Sequence, residues 1–125
     1  MIIGKNCVIG NSTEVKNSIL FDGVNCPHFN YVGDSVVGEN AHTGAGVILS
    51  NVRSDKKNVR VESIETNLRK MGAIVGANVE IGCNSVVCPG TIIGGNTSIY
   101  PLTMVKGVIP SNSIVKTTNE VVRKK

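Results

Sequence analysis

Aromatic residues are nearly absent from this chain of 125 residues, which contains no Trp, two Tyr and two Phe. A core built on large aromatic side chains is therefore excluded. No apolar run approaches the roughly 20 residues that a membrane-spanning helix needs. The N-terminal stretch MIIGKNCVIG lacks the pattern of a cleavable signal. We expect a cytoplasmic protein with no membrane partner.

Residues that bind metals are also scarce. The chain contains four cysteines: Cys7, Cys26, Cys83 and Cys88. No two of them form a CxxC pair, and their spacing matches no zinc finger or ribbon, so packing as small hydrophobic residues is their expected role. His28 and His42 are the only histidines, whereas a catalytic zinc site of the carbonic-anhydrase type needs three imidazoles. No metal is expected.

The charge distribution argues against a nucleic-acid partner. The formal net charge is +4, and the basic residues concentrate in the segment 53–70 and in the C-terminal VVRKK. Acidic residues are mixed into the first cluster, and no aromatic residues are interleaved for base stacking. The cluster is either a solvated loop or the wall of a site for a phosphorylated ligand.

Aliphatic residues, with one aromatic and one threonine among them, by contrast recur at every sixth position. The three runs are Ile3, Ile9, Val15 and Phe21, then Val37, Thr43 and Leu49, then Val75, Ile81, Val87, Ile93, Ile99 and Val105. In a helix, six residues at about 100° each would scatter these positions over the surface. Short strands that bend every six residues turn them all inward, with the glycines beside them permitting the bends. Three such strands close one triangular coil, so the pattern predicts an all-β solenoid.

The rhythm breaks around the stretch PHFNYVGD. Counting forward from Phe21 predicts an inward corner at Pro27, and counting back from Val37 predicts one at Tyr31. The four residues from His28 to Tyr31 are therefore expected to bulge, with the proline restricting the backbone just ahead of them. A histidine at such a kink is a candidate general base, because its unperturbed pKa lies near neutrality. A structural histidine bonded to a backbone carbonyl is the alternative.

A second interruption is longer. Between Leu49 and Val75 there is no six-residue rhythm, and residues 50–74 are expected to form a long protruding loop that is mobile until a ligand binds. The solenoid then covers residues 1–115, with this loop inserted, and residues 116–125 form a short basic C-terminal tail.

Four groups of residues accompany the repeat: Glu14-Val15-Lys16, His28, Tyr31 with Gly33-Asp34, and Gly44-Ala45-Gly46. In their separations the chain resembles the hexapeptide-repeat acyltransferases, in particular the acetyltransferase domain of the bifunctional bacterial enzyme that acetylates glucosamine 1-phosphate and makes UDP-N-acetylglucosamine. The resemblance covers nearly the whole chain. It implies a single-stranded left-handed parallel β-helix, whereas general rules for parallel crossovers would predict the opposite hand.

The resemblance also implies the residues of an acceptor site. His28 would remove a proton as the acceptor amine or hydroxyl attacks the thioester of acetyl-CoA. Lys16 would pair with an acceptor phosphate, and Tyr31 would hydrogen-bond the acceptor. His42 stands where the family carries a sugar-binding Asn, and Lys57 approximates a lysine of the family's loop.

For the cosubstrate acetyl-CoA, the resemblance implies a second set of residues. Gly44 and Ala45 would lie where the pantetheine arm passes, Asn51 matches an Asn of the family's cofactor loop, and Cys83 stands in place of a Ser. Arg53 belongs to the basic loop that we expect to hold the phosphates of coenzyme A. An Arg that the family supplies from an earlier coil would precede Met1, so we expect acceptor binding to be weaker than acetyl-CoA binding.

Three functional classes remain open. The first is an acyl-CoA-dependent transferase that acts on a sugar, sugar phosphate or nucleotide sugar. The second is a non-catalytic β-helix that serves as an oligomerisation or regulatory module of a protein related to sugar-nucleotide pyrophosphorylases. The third, a zinc lyase, is disfavoured by the histidine count.

A homotrimer is implied by the resemblance, with active sites between subunits, and a closed three-fold arrangement would bury one flat wall of each subunit. The uncharged or small residues expected to face outward on such a wall are Thr13, Ser18, Thr43, Ser85, Thr91 and Thr97.

Overall fold

A computed structural model describes all 125 residues and shows an all-β chain. The protein is a single-stranded left-handed parallel β-helix, which confirms the predicted fold. It contains no helix that could cross a membrane. Its strands form three walls, which follow one another around each coil.

Wall 1 is a sheet of six parallel strands, Ile2–Ile3, Ile19–Leu20, Val36–Val37, Ile74–Val75, Ile92–Ile93 and Val108–Ile109. Wall 2 has six parallel strands, Val8–Asn11, Asn25–His28, His42–Thr43, Glu80–Ile81, Ser98–Ile99 and Ser113–Thr117. Wall 3 has five parallel strands, Glu14–Lys16, Tyr31–Gly33, Ile48–Leu49, Val86–Val87 and Met104–Val105. A last strand, Glu120–Arg123, lies in the predicted basic tail and pairs antiparallel with Ser113–Thr117 at the edge of wall 2.

The core is a set of aliphatic columns inside the triangular coil. In wall 1, for example, Leu20, Val37, Val75 and Ile93 lie in register on successive coils, and each is at most 3% exposed. Burying such a side chain stabilises the fold by about 1.5–3 kcal/mol. Because each coil supplies a similar set, the core extends along the helix axis rather than forming a globular centre.

The glycines beside the inward positions have a different role from the expected one. Gly38 and Gly82, for example, do not adopt the left-handed conformation. A Cβ on Gly38 would lie 2.7 Å from the backbone N of Ala77 on the next coil. These glycines therefore allow close approach between coils. The left-handed bends fall mainly on asparagines such as Asn40 and Asn96, with φ of 59° and 57°.

The break in the repeat is not where the sequence placed it. The inward residues are Leu20, Cys26 and Val32, and neither Pro27 nor Tyr31 occupies an inward corner. Phe21 is 47% exposed and is therefore not a corner. No bulge forms across His28–Tyr31: the strands Asn25–His28 and Tyr31–Gly33 flank a single turn.

Two shortened sides explain the change of phase. Leu20 follows the inward Val15 by five residues, and Val37 follows the inward Val32 by five. The corners between walls 3 and 1 are correspondingly tight, with Asn17 at φ 51° and Asp34 at φ 47°. Each of the first two coils therefore has one side that is a residue shorter than a strict six-residue count assumes.

The small polar residues expected on an outer wall lie inside or against the coil. Ser18, Thr43, Ser85, Thr91 and Thr97 are each buried, and Thr13 is half-buried. Their hydroxyls bond to backbone groups of adjacent turns, as when Thr97 donates to the Pro110 carbonyl at 3.2 Å. No buried side-chain N or O atom lacks a partner. These residues cannot form a subunit interface.

The inserted segment is a folded arm, which we define as residues 50–71. Its strands Val59–Val61 and Ile64–Leu68 form an antiparallel hairpin. At its root, the Met71 N–H donates to the Asn51 carbonyl at 3.0 Å. Val59 is fully buried, and its Cγ1 lies close to Gly90, so the hairpin rests on the main solenoid. The long protruding loop that the sequence predicts is therefore present, and it contains a β-hairpin of its own.

Replacing Gly90 by Ala should both strain the backbone and undock the arm. Gly90 has φ 81°, and a Cβ there would lie 2.9 Å from Val59 Cγ1 and against the Arg60 carbonyl. Gly107→Ala is the matched control, because Gly107 has φ 82° with nothing within 4 Å. We expect Gly107→Ala to cost about 1–2 kcal/mol in urea unfolding. Gly90→Ala should cost more and should expose the arm to limited proteolysis. Equal destabilisation with an uncleaved arm would contradict this docking.

Candidate functional site

The corner between walls 2 and 3 carries three of the predicted site residues in one column. His28 ends the strand Asn25–His28, and Ala45 and Cys83 occupy the same position on the next two coils. Equivalent hydrogen bonds join these coils: Gly46 N–H donates to the His28 carbonyl, and Asn84 N–H donates to the Ala45 carbonyl. Adjacent strands lie about 4.8 Å apart, so the column places the three side chains in a short vertical line.

The turn after His28 is held by a buried amide. Asn30 is 3% exposed, and its Nδ2 donates to the carbonyls of Gly44 at 2.8 Å and Val47 at 3.3 Å. Its Oδ1 accepts the backbone N–H of His28 at 3.4 Å. Asn30 thus fixes both the end of the histidine strand and the Gly44 turn one coil below. Sequence reasoning missed Asn30. Its position two residues after the candidate base is the signal that could have found it.

The His28 side chain itself is exposed and makes no hydrogen bond within the chain. A structural histidine would bond its ring to a carbonyl or a carboxylate. His28 does neither, so both ring nitrogens are open to a ligand.

A second group of predicted residues meets on wall 3 and at its far edge. The Tyr31 hydroxyl lies 3.0 Å from Asn51 Nδ2, which also donates to Asp34 Oδ2 at 2.5 Å. Lys16 faces outward one coil above, where it pairs in register with Gly33. Tyr31 and Lys16, both predicted to bind the acceptor, therefore lie on one wall, and Asn51, predicted to bind the cofactor, lies at its edge beside Tyr31. Asp34 was noted only as part of a Gly-Asp motif and had no predicted role.

His42 lies elsewhere. Its strand belongs to wall 2, where Nδ1 is 2.7 Å from Glu80 Oε2 on the next coil. Tyr31 and Lys16 face out of wall 3 instead. The structure therefore does not bring His42 together with these two predicted acceptor residues.

The arm overhangs wall 3 from the edge opposite the His28 corner. Asp34, at that far edge, is six positions after His28, so at about 3.3 Å per residue the two are at most about 20 Å apart. A cleft of about 510 Å³ opens between the arm and the lower coils of wall 3. Its lining includes Val86, Cys88 and Lys106 from the wall.

A second cleft, of about 590 Å³, lies within the arm and is strongly basic. We call it the basic cleft; it is lined by Arg53, Lys56, Lys57, Asn58, Arg60, Glu65 and Arg69. Arg53 and Arg60 also line the first cleft, so the two are adjacent. Arg53 and Lys57, predicted to serve different ligands, lie in the same cleft.

One of the basic residues of this cleft, Arg53, already forms a salt bridge with a carboxylate. Asp55 accepts from Arg53 Nε at 3.1 Å and from Arg53 Nη2 at 2.6 Å. It also accepts the Lys57 backbone N–H at 3.0 Å. This backbone bond and the guanidinium lower the pKa of Asp55 below its ordinary value. In the free protein Arg53 is therefore held by a neighbour two residues away.

The cysteines differ in how deeply they are buried. Cys26 is fully buried in the core, and burial raises the pKa of its thiol. Burial also raises the pKa of Cys88 at the edge of the first cleft, against the opposing effect of Lys106. Cys83 is exposed in the His28 column, so the expected packing role is wrong for this residue. No group of three or more His, Cys, Asp or Glu residues is placed to hold a metal ion.

Comparison with known proteins identifies the relatives of this chain. It is 42% identical over 105 residues to the bifunctional sugar-1-phosphate nucleotidylyltransferase/acetyltransferase of Sulfurisphaera tokodaii, which covers 81% of this chain and 26% of that protein. It is 35% identical over 127 residues to the bifunctional protein GlmU of Methanococcus aeolicus, covering 98% of this chain and 31% of that protein. The chain belongs to the hexapeptide-repeat left-handed β-helix family.

The fold likeness extends to solved structures. The acetyltransferase domain of PglB from Neisseria gonorrhoeae, in complex with acetyl coenzyme A, superposes with a TM-score of 0.70 at 19% identity. The match covers 90% of this chain and 47% of that one. No protein-family model matches the chain. Since the chain spans less than a third of the length of its two sequence relatives, their whole activity does not transfer to it directly.

The basic cleft should bind inorganic pyrophosphate weakly, through charge-assisted hydrogen bonds. Replacing Arg53, Lys56 and Lys57 by Ala should weaken this binding, and more visibly at low salt, because exposed charges are screened by salt. Asp55→Asn should instead strengthen it, since it removes the carboxylate that pairs with Arg53. Titration calorimetry at two ionic strengths measures both changes. Identical affinities in all three proteins at low salt would mean that the arm is only a solvated insertion.

Proposed function

We propose that the chain is an acetyl-CoA-dependent acyltransferase that acts on an amino sugar, a sugar phosphate or a nucleotide sugar. The observation that carries this proposal is the position of His28, which has no side-chain partner and lies at the corner of walls 2 and 3 with small residues beneath it. Tyr31 and Lys16 face outward from wall 3, which begins at this corner. The sequence relatives named as acetyltransferases and the acetyl coenzyme A complex of PglB support the same reaction class. A cytoplasmic location stays a prediction.

In this proposal the acetyl-CoA lies along the column below His28. Ala45 has a small, half-buried side chain, so an extended pantetheine chain meets little obstruction there. Gly44 beside it allows close approach of the next coil, because a Cβ there would lie 2.8 Å from the Cys83 backbone N. The exposed Cys83 follows on the next coil. Coenzyme A carries a pyrophosphate and a ribose phosphate, and the cations of the arm, among them Arg53, offer charge-assisted partners for these groups.

The chemistry then follows from the free imidazole. His28 takes a proton from the acceptor amine or hydroxyl as this group attacks the thioester carbonyl. The Ala45 N–H has no partner in the chain, whereas those of Gly44 and Gly46 are used between coils. It is thus the available backbone donor for the developing oxyanion. The protonated His28 returns its proton to the leaving thiolate.

The acceptor side of the site is wall 3. Lys16 supplies an exposed ammonium for a phosphate, and Tyr31 supplies a hydroxyl. His42 is held by Glu80 on another wall, which argues against a direct acceptor contact within one subunit. Lys57, in the basic cleft, is better placed for the phosphates of a nucleotide than for a small sugar at His28.

A homotrimer is part of the proposal, and the structure suggests a different surface from the one expected. The outward residues of wall 1 are all aliphatic: Ile2, Ile19, Val36, Ile74, Ile92 and Val108. Wall 2 instead presents Asn25, His42 and Glu80. The arm leaves the solenoid at the corner of walls 3 and 1, where Leu68 and Met71 border the upper part of this strip at Ile19 and Val36. Burying wall 1 against further copies would remove a continuous apolar strip from water.

Replacing His28 by Ala tests the proposed catalysis. Acetyl transfer should fall by roughly 10²–10⁴, as is usual when a general base is removed. The free energy of unfolding should hardly change, because the ring is exposed and unbonded. His42→Asn is the matched control and should retain activity. Release of free thiol from acetyl-CoA, screened against amino sugars, sugar phosphates and nucleotide sugars, measures turnover. A His28→Ala protein of lower melting temperature but normal turnover would return His28 to a structural role.

Ile74→Lys tests the wall 1 interface. The substitution places a charge in the middle of the aliphatic strip, where Ile74 is 40% exposed in the single chain. Light scattering at micromolar concentration should show a trimer for the unmodified protein and a smaller species for the variant. Ser98→Lys, on an outward position of wall 2, is the control and should remain trimeric. A monomeric mass for the unmodified protein would count against the trimer and, with it, against sites shared between subunits.

A further inference from the structure

We propose that Asp34 is a positioning residue that sets the orientation of the Asn51 amide and thereby makes the Tyr31 hydroxyl a hydrogen-bond donor toward the acceptor. The inference rests on the proposed function for the identity of the acceptor site. Its basis is a chain of four polar side chains that crosses three successive strands of the solenoid at the edge of wall 3: Asn17, Asp34, Asn51 and Tyr31.

The carboxylate fixes the direction of every bond in this chain. Asp34 Oδ1 accepts from Asn17 Nδ2 at 2.5 Å, and Oδ2 accepts from Asn51 Nδ2 at 2.5 Å. An ionised carboxylate can only accept hydrogen bonds. Asn51 must therefore turn its NH₂ group, and not its carbonyl oxygen, toward Asp34. No Lys or Arg forms a salt bridge with Asp34, so the two amides are its side-chain partners.

The same NH₂ group has a second hydrogen, and that hydrogen points to Tyr31. Asn51 Nδ2 lies 3.0 Å from the Tyr31 oxygen, which therefore acts as acceptor. The phenolic hydrogen of Tyr31 has no partner within the chain and is free to be donated. If Asn51 turned its carbonyl oxygen to Tyr31, the phenol would donate inward and would be lost to an external ligand. Asp34 prevents this turn.

Nothing in the backbone requires the charge of Asp34. The residue bends the chain at φ 47°, and the equivalent corner of the preceding coil does so with Asn17 at φ 51°. Asn and Asp tolerate this conformation comparably. An Asn at position 34 would satisfy the corner and would still offer an oxygen to Asn51, because the exposed Asn17 amide is free to turn its own oxygen toward the new NH₂ group. What the network needs from position 34 is therefore a side-chain acceptor for Asn51, which a residue without a polar side chain does not supply.

The Tyr31 ring is also confined by its neighbours. A Cβ on Gly33 would lie 2.6 Å from Tyr31 Oη and 2.6 Å from Asn51 Nδ2, so the ring lies directly over the glycine. Asn51 is 8% exposed, and its backbone carbonyl accepts the Met71 N–H at the root of the arm. The side chain that bonds to the Tyr31 hydroxyl is therefore attached where the arm leaves the solenoid.

Asp34→Gly is the first variant, because glycine adopts φ 47° without strain and removes the acceptor for Asn51. Asp34→Asn is its matched control, since the introduced amide can accept from Asn51 with its oxygen and donate to Asn17 with its NH₂ group. The Km for the acceptor, with glucosamine 1-phosphate and UDP-glucosamine as the two acceptors used, should rise about ten-fold in Asp34→Gly. Asp34→Asn should keep most of the acceptor affinity.

Tyr31→Phe distinguishes positioning from a general structural role. If Asp34 acts through the Tyr31 hydroxyl, adding Asp34→Gly to Tyr31→Phe should raise the acceptor Km no further. Additive losses in this cycle would overturn the proposal. So would an equal loss in Asp34→Asn and Asp34→Gly.

A readout independent of turnover is the side-chain amide signal of Asn51 in ¹H–¹⁵N NMR spectra, assigned by its absence in Asn51→Ser. Exchange with solvent should be slow in the unmodified protein, faster in Asp34→Gly, and slow again in Asp34→Asn. An unchanged signal in Asp34→Gly would overturn the inference whatever the kinetics show. If the unmodified protein turns over neither acceptor, the proposed function and the role of Tyr31 fail together, and the NMR comparison separates that failure from a failure of the Asp34–Asn51 bond.

Discussion

The stacking of one coil on the next, through backbone hydrogen bonds in strict register, is the constraint on which the rest of this structure depends. Parallel strands lie about 4.8 Å apart, so no side chain can stand between them. Gly38 and Gly82 meet this requirement by having no Cβ at the closest approach. Inward hydroxyls such as that of Thr97 satisfy carbonyls that the short strands leave over. The apolar columns can form only after these conditions are met.

The same register aligns the side chains at equivalent positions of successive coils. A side chain at a given position has neighbours directly above and below it, so His28, Ala45 and Cys83 form a column although 17 and 38 residues separate them along the chain. Wall 3 presents Tyr31 and Lys16 in the same way. A rigid solenoid therefore needs few special residues to build a site, because the coil spacing fixes their separation.

The arm changes the character of this site. A β-helix wall is flat and encloses little volume. The arm forms a cleft with wall 3 and supplies most of the local positive charge. Its attachment at two points, near Asn51 and at Gly90, holds that charge over wall 3. A purely oligomerising module would have no need for such a basic overhang on a wall that has an unbonded histidine at its other edge. This consideration favours a ligand-binding role over a non-catalytic one.

The six-residue period determined the fold class by itself, because only short strands with regular bends can turn every sixth residue inward. The resemblance to the hexapeptide-repeat acyltransferases also indicated His28, Lys16, Tyr31 and Asn51, and in the structure Tyr31 and Lys16 lie on wall 3 with Asn51 at its edge. The sequence could not reveal the two five-residue sides, since a missing residue shifts the phase without marking the corner where it is lost. Nor could it show that Ser18 and Thr91 point inward, that Asn30 and Asp34 hold the site, or that His42 pairs with Glu80. Those facts depend on which residues become neighbours on successive coils, and only the stacked tertiary structure decides that.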